Sequence, residues 1–295
     1  MGVEIRSVSP VSCELGEGPI WSGTEAAVYW IDILGRRLHR VGADGGGADS
    51  WDLPSKPGCV ALAADGLLLL GLTDGLVTLD PVTASLRPLR ALEEDVPENR
   101  LNDGASDSRG RLWIGSLHDR GERMSGALYR VDPDLTVTTV LTGLGTSNGL
   151  GWSPADDTFY FTDSWTQTIT AFDFDVEAGT VHNPRVFVRD DDCLPDGLTV
   201  DAEGHVWSAK WGGAKIVRYT PDGSIDRVLT LPVPHATSVT FGGPELDVLY
   251  VSTARAGLSD SEIQQSPCAG KLLAIEGLGV QGMSPTPVPV RSSQE

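Results

Sequence analysis

One short strand opening recurs along the chain: a polar residue, a glycine, then apolar residues. Glu17-Gly18-Pro19-Ile20-Trp21 comes first, and it returns as Asn102-Asp103-Gly104-Ala105, Asn148-Gly149-Leu150-Gly151-Trp152 and Asp196-Gly197-Leu198-Thr199-Val200. Two weaker copies, Gly58-Cys59-Val60-Ala61-Leu62 and Thr237-Ser238-Val239-Thr240-Phe241, lack the acid or amide. An apolar, often aromatic run follows each opening. Its markers Tyr29, Leu68, Trp113, Tyr160, Trp207 and Tyr250 are separated by 39, 45, 47, 47 and 43 residues. A unit of four short strands repeating every ~40–50 residues is the mark of a propeller blade. Six copies therefore predict an all-β chain, a six-bladed β-propeller with four-stranded antiparallel blades.

The repeats run on without a break, so residues 1–295 read as a single domain. A ring must also close. The alternating stretch near residues 3–8 is expected to add an outer strand to the last blade. The 286–295 tail competes for that role, but its alternate prolines make it a poor donor to a ladder. The one helix expected is a short turn at Ser259–Gln265.

Composition narrows the function. The formal charge is −19, from 41 acids against 22 bases, and such a surface repels nucleic acid and anionic lipid. No apolar run approaches the roughly 20 residues of a membrane span. The start shows no basic segment followed by an apolar one, so no signal peptide is read. Four cysteines lie far apart with no CxxC, which fits buried thiols in a cytoplasmic protein better than a disulfide framework. The oligomeric state leaves no trace in the sequence.

In a propeller the inner strands converge on one axis, so their opening residues form a ring. Glu17, Asn148 and Asp196 share one register, immediately before a glycine, while Asp103 or its neighbour Asn102 opens the third blade. A lone Asn-Gly or Asp-Gly is ordinarily a hairpin turn. The repeated register is what sets these apart. Converging carboxylate and amide oxygens make a hard site that suits Ca²⁺, Mg²⁺ or Mn²⁺. Zinc or iron also remains open as the single divalent ion, although no His or Cys stands in this register, which argues against a structural zinc site. The tryptophans read mostly as blade packing; Trp165 and Trp211, just past strand ends, have walling the pocket as their alternative, with packing favoured. His118 reads as a residue of a rim loop.

Several separated motifs resemble the regucalcin (senescence marker protein-30)/gluconolactonase family in the order they occur. They are Leu15–Trp21, Arg100-Leu101-Asn102-Asp103-Gly104, Ser147–Ser153, Pro195-Asp196-Gly197-Leu198, and the late stretches Ala254–Leu258, Ala269–Leu272 and Gly277–Gly282. The resemblance implies a six-bladed propeller, a divalent metal on the axis and hydrolysis of a sugar lactone. It carries Glu17, Asn148 and Asp196 over as metal ligands, with Arg100 and Asn102 facing the substrate. The chain departs from the pattern at Ala105, where family members often have Lys or Arg. After Gly115-Ser116, both Asp119 and Glu122 are candidates for an acidic contact to the substrate.

The expected chemistry follows. Opening a cyclic ester needs a polarised carbonyl, an attacking water and stabilisation of the oxyanion. An ion held by protein oxygens supplies Lewis acidity. The water is activated either by Asp196 as general base or by the ion itself. No GxSxG elbow or Ser-His-Asp order points to an acyl-enzyme. Two other readings stand beside a lactonase: a metal-dependent propeller hydrolase of phosphotriesters or aryl esters, and a propeller that binds metal or protein without catalysis.

Overall fold

The computed structural model describes residues 2–290. These form six antiparallel sheets of four strands each, arranged as the six blades of a β-propeller. The innermost strands are Gly16–Ser22, Cys59–Leu62, Asn99–Ser106, Ser147–Trp152, Leu194–Val200 and Ala236–Gly242. Each corresponds to one of the six recurring openings. The second strands are the aromatic runs, such as Ala27–Asp32 and Leu112–His118, and both of these are buried along their whole length. Outer strands such as Ser85–Ala91 are mostly exposed. Burial thus falls from axis to rim, as it must when blades pack face to face.

Apolar packing runs between blades. Trp113 and Leu128 of the third blade cluster with Trp152, Phe159, Phe161 and Phe172 of the fourth. Trp207 of the fifth meets Phe241 and Leu249 of the sixth, its ring edge-on to Phe241 at 5.7 Å. Trp21 and Trp30 of the first meet Tyr250 and Leu272 of the last. Two blades also carry an internal fastener. Asp107 accepts from Trp113 Nε1 at 2.9 Å and from Arg111, and Asp201 accepts from Trp207 Nε1 at 2.8 Å and from Arg218. Burying a carboxylate is costly without such partners.

The last blade is built from both ends of the chain. Glu4–Ser7 pairs with Leu273–Glu276, in register Glu4 to Glu276 through Ser7 to Leu273. Arg6 adds an ion pair to Glu276 at 2.8 Å. The proline-rich tail lies elsewhere: Val288 bridges Ala63 in the second blade and the Ser106 hydroxyl bonds the Thr286 carbonyl. Residues 291–295 of that tail lie outside the described residues. The short helix is Asp260–Gln265, capped by Ser259 in a reciprocal capping box with Glu262.

Candidate active site

The inner strands do more than converge. Five of the six carry a β-bulge near their start, at Glu17/Ile20, Leu101/Gly104, Asn148/Leu150, Pro195/Leu198 and Ala236/Ser238. A bulge interrupts the pleat and re-aims one side chain out of the alternation. The glycines permit it. A Cβ on Gly149 would sit 2.7 Å from the Asp196 carbonyl oxygen, and one on Gly197 would strike Ser238. Neighbouring inner strands therefore touch backbone to backbone at the axis, and the preceding polar side chain is free to turn into the mouth of the ring.

That mouth is a cavity of about 530 Å³. Glu17, Arg100, Asn102, Asn148, Ser164 and Asp196, with Thr146 and Gln167, supply its polar lining, and Leu15, Ile33, Leu117, Leu194, Trp165 and Trp211 its apolar wall. Asn102 faces this cavity, whereas Asp103 lines a separate space of about 270 Å³ further along the axis, bordered by residues 283–286 of the tail. The two residues that the sequence left as alternatives thus serve opposite sides of the same strand. Thr237, in one of the two blades whose opening lacks an acid or amide, is fully buried and bonds the Gly16 carbonyl at 2.5 Å.

Glu17, Asn148 and Asp196 are each less than one-tenth exposed. Burial pushes both carboxyls well above their ordinary range, and repulsion from nearby acids adds to it. For Glu17 the repelling groups are Asp196 and Asp103, and for Asp196 it is Asp103. Burial likewise lifts Asp103 to about 6. Glu17 accepts one bond from the Gly18 amide at 2.9 Å, and Asp196 Oδ1 is buried with no hydrogen-bond partner. A buried carboxylate oxygen left without a donor is rare and calls for a cation. Two acids and an amide oxygen are the donor set of a hard divalent ion, so these residues fit one.

Hydrogen bonds tie the polar lining together. Asp119 accepts from Arg100 Nε at 3.0 Å, and Arg100 Nη1 donates to Asn102 Oδ1 at 2.6 Å. Asn102 Nδ2 donates to Asn148 Oδ1 and to the Ser147 carbonyl, each at 2.7 Å. Asn148 Nδ2 donates to Ser164 Oγ at 2.8 Å, and Ser164 Oγ donates to the Pro195 carbonyl at 2.6 Å. Burial would raise the Asp119 carboxyl, but Lys56, at 2.7 Å, and Arg100 outweigh it and hold it below its ordinary value. Asp119 therefore reaches the site through Arg100. Glu122 stands on an exposed turn outside the cavity lining.

Three features depart from the favoured sequence reading. Trp165 and Trp211 wall the cavity, the less favoured of their two sequence readings, and Trp211 stacks on His235 with ring centroids 4.1 Å apart. His118, expected on a rim loop, ends a buried strand and is 2% exposed. Ser164 was not singled out. Among the described residues, the tight groupings of metal-capable side chains, Cys13/Asp32/His39, Asp190/Asp192/Cys193 and Asp201/Glu203/His205, include no residue of the cavity lining. Their carboxylates are already committed. Asp32 accepts three backbone amides, Asp190 and Asp192 pair with Lys210 and Lys215, and Asp201 holds Trp207 and Arg218.

A six-bladed ring with an acid and amide cluster at one mouth defines a class of propellers with an axial polar site. The match to known proteins is more specific. Residues 15–255 match the family model described as SMP-30/Gluconolactonase/LRE-like region, and the chain belongs to that family. It is 40% identical over 252 residues to pentonolactonase XacC of Haloferax volcanii, covering 85% of each chain. It is 32% identical to regucalcin of Xenopus laevis, covering 96% of this chain and 98% of that one. A solved structure described as the calcium-binding protein regucalcin from Agrobacterium tumefaciens superposes with a TM-score of 0.91 at 30% identity, covering 97% of both chains.

Proposed function

We propose that this protein opens the ring of a sugar lactone to the aldonic acid, using one divalent cation held by Glu17, Asn148 and Asp196. The chain is an enzyme of the lactonase type. The relative named as a pentonolactonase and the gluconolactonase family match support the substrate class. The observation that carries the metal reading is the unpartnered buried oxygen of Asp196 beside a second buried acid. When bound, the cation polarises an ester carbonyl as a Lewis acid.

The chain's own groups do the rest. Glu17 and Asp196 hold positive charge at the cavity floor, and Asn148 contributes a neutral oxygen. With Asp196 Oδ1 given to the cation, the remaining oxygen of that carboxylate, which the Gly197 backbone supports, is the general base for the attacking water. Asn102 and Arg100 face the lactone hydroxyls. The Arg100 guanidinium is fixed in place by Asp119 and the Leu101 carbonyl. Trp165 and Trp211 offer flat apolar faces to the sugar ring and shield it from bulk water.

A panel of five- and six-carbon aldonolactones, assayed by acid release with and without each of Ca²⁺, Mg²⁺, Mn²⁺, Zn²⁺ and Fe²⁺, tests the reading. Ion-dependent hydrolysis of at least one sugar lactone is expected. Turnover confined to phosphotriesters or aryl esters would replace it with the other hydrolase reading.

A further inference from the structure

Asn148 ends in two groups of equal size, one an acceptor and the other a donor. Only its oxygen is of use to a cation, so something must fix which way the amide faces. The hydrogen bonds on either side do so. At one end Asn102 is set by two neighbours that cannot be exchanged: Arg100 only donates, at 2.6 Å, and the Ser147 carbonyl only accepts, at 2.7 Å. Asn102 must then present Nδ2 to Asn148. At the other end the single Ser164 proton goes to the Pro195 carbonyl at 2.6 Å. Ser164 Oγ is left to accept, and it accepts from Asn148 Nδ2 at 2.8 Å. Both ends call for the same orientation of the Asn148 amide.

The fold puts Ser164 there. The first two strands of the fourth blade pair Ser147 with Asp163, so the residue after Asp163 falls beside the opening of the inner strand. Asp163 pins the local turn by accepting from the amides of Gly145, Thr146 and Trp165. Ser164 is 6% exposed and lines the cavity, touching Asn148 of its own blade and the carbonyl just before Asp196 of the next.

We infer that Ser164 is a positioning residue: its hydroxyl holds the Asn148 amide so that oxygen, and not nitrogen, is offered to the cation. The inference rests on the reading of Glu17, Asn148 and Asp196 as a cation site. Losing the hydroxyl leaves Asn148 Nδ2 buried without an acceptor and removes one of the two restraints on the amide. A carboxylate at position 148 offers oxygen in either orientation, so it has no need of Ser164.

The test is calorimetric titration of Mn²⁺ into chelator-stripped wild type, Ser164→Ala, Asn148→Asp and the double variant, with circular dichroism to verify folding. Ser164→Ala is expected to weaken Mn²⁺ binding about tenfold in the wild-type background. In the Asn148→Asp background the same change should shift it by roughly twofold or less. Ser164→Thr, which keeps the hydroxyl, should bind as wild type. Ser164→Cys, a poor acceptor of similar size, gives the same readout if the alanine variant does not fold. An equal loss in both backgrounds, or no loss in either, overturns the orienting role. Absence of Mn²⁺ binding to the wild type would instead sink the cation site, and this inference with it.

Discussion

Arg100 shows how much of the site depends on one side chain's geometry. Its guanidinium donates to Asp119, to the Leu101 carbonyl and to Asn102 Oδ1, three directions that a planar fork serves at once. A lysine keeps the charge but serves fewer of them. Arg100→Lys is therefore expected to keep the fold by circular dichroism while lowering kcat/KM for the lactone about ten- to a hundredfold. Wild-type kinetics in that variant would show that Arg100 acts as a point charge alone. The sequence made Glu17, Asn148 and Asp196 legible because they share a register before glycine. It did not reveal Ser164, which follows a second strand, and it favoured packing over a pocket wall for Trp211, which ends one. An antiparallel partner returns to the same end of the blade as the inner strand's opening, as the pairing of Leu194 with Trp211 shows. The end of each second strand was thus a place to look for site residues, and it carries no motif of its own.

Within a blade, buried polar groups set conditions that packing alone does not. His39 lies on the third strand of the first blade, Arg37–Gly42, with Nδ1 2.7 Å from Ser50 Oγ and its ring against Trp30. Burial pulls its pKa from the ordinary 6.5 down to about 4. Above pH 6.5 it is neutral in both the folded and unfolded chain and costs nothing. Below that the unfolded chain takes up the proton first, so stability is lost as pH falls from about 6.5 to about 4. Urea midpoints measured across that window should drop more steeply for wild type than for His39→Gln. Parallel curves would mean that His39 is not held neutral. The alternation and aromatic content of the strands made the blades readable. The bulges were not, because an extra residue in one strand is defined only against its partner.

Ring closure belongs to the whole molecule. The first strand and the last belong to one sheet, so the ends of the chain hold the ring shut through four backbone pairs and the Arg6–Glu276 ion pair. Deleting residues 1–7 exposes the edge of Leu273–Glu276 and opens the seam between the last blade and the first. The melting temperature should fall by several degrees and aggregation should rise on heating, read by calorimetry and light scattering. An unchanged melting temperature would place ring closure in side-chain packing between blades instead. The six-fold repeat was open to sequence reading because it recurs, and the closing strand because residues 3–8 alternate ahead of the first inner strand. The path of the tail under the second and third blades was not, because proline-rich chain carries no period.

The same ring that fastens the molecule gathers Glu17, Asn148 and Asp196 at its mouth, and the proposed function requires that they hold a cation together. The most direct test is lactone hydrolysis by chelator-treated protein, wild type and Asp196→Ala, before and after a divalent ion is added back. Wild type should lose turnover on chelation and regain it with the ion, while folded Asp196→Ala stays inactive throughout. Full turnover by ion-free wild type, or by Asp196→Ala, would contradict the account.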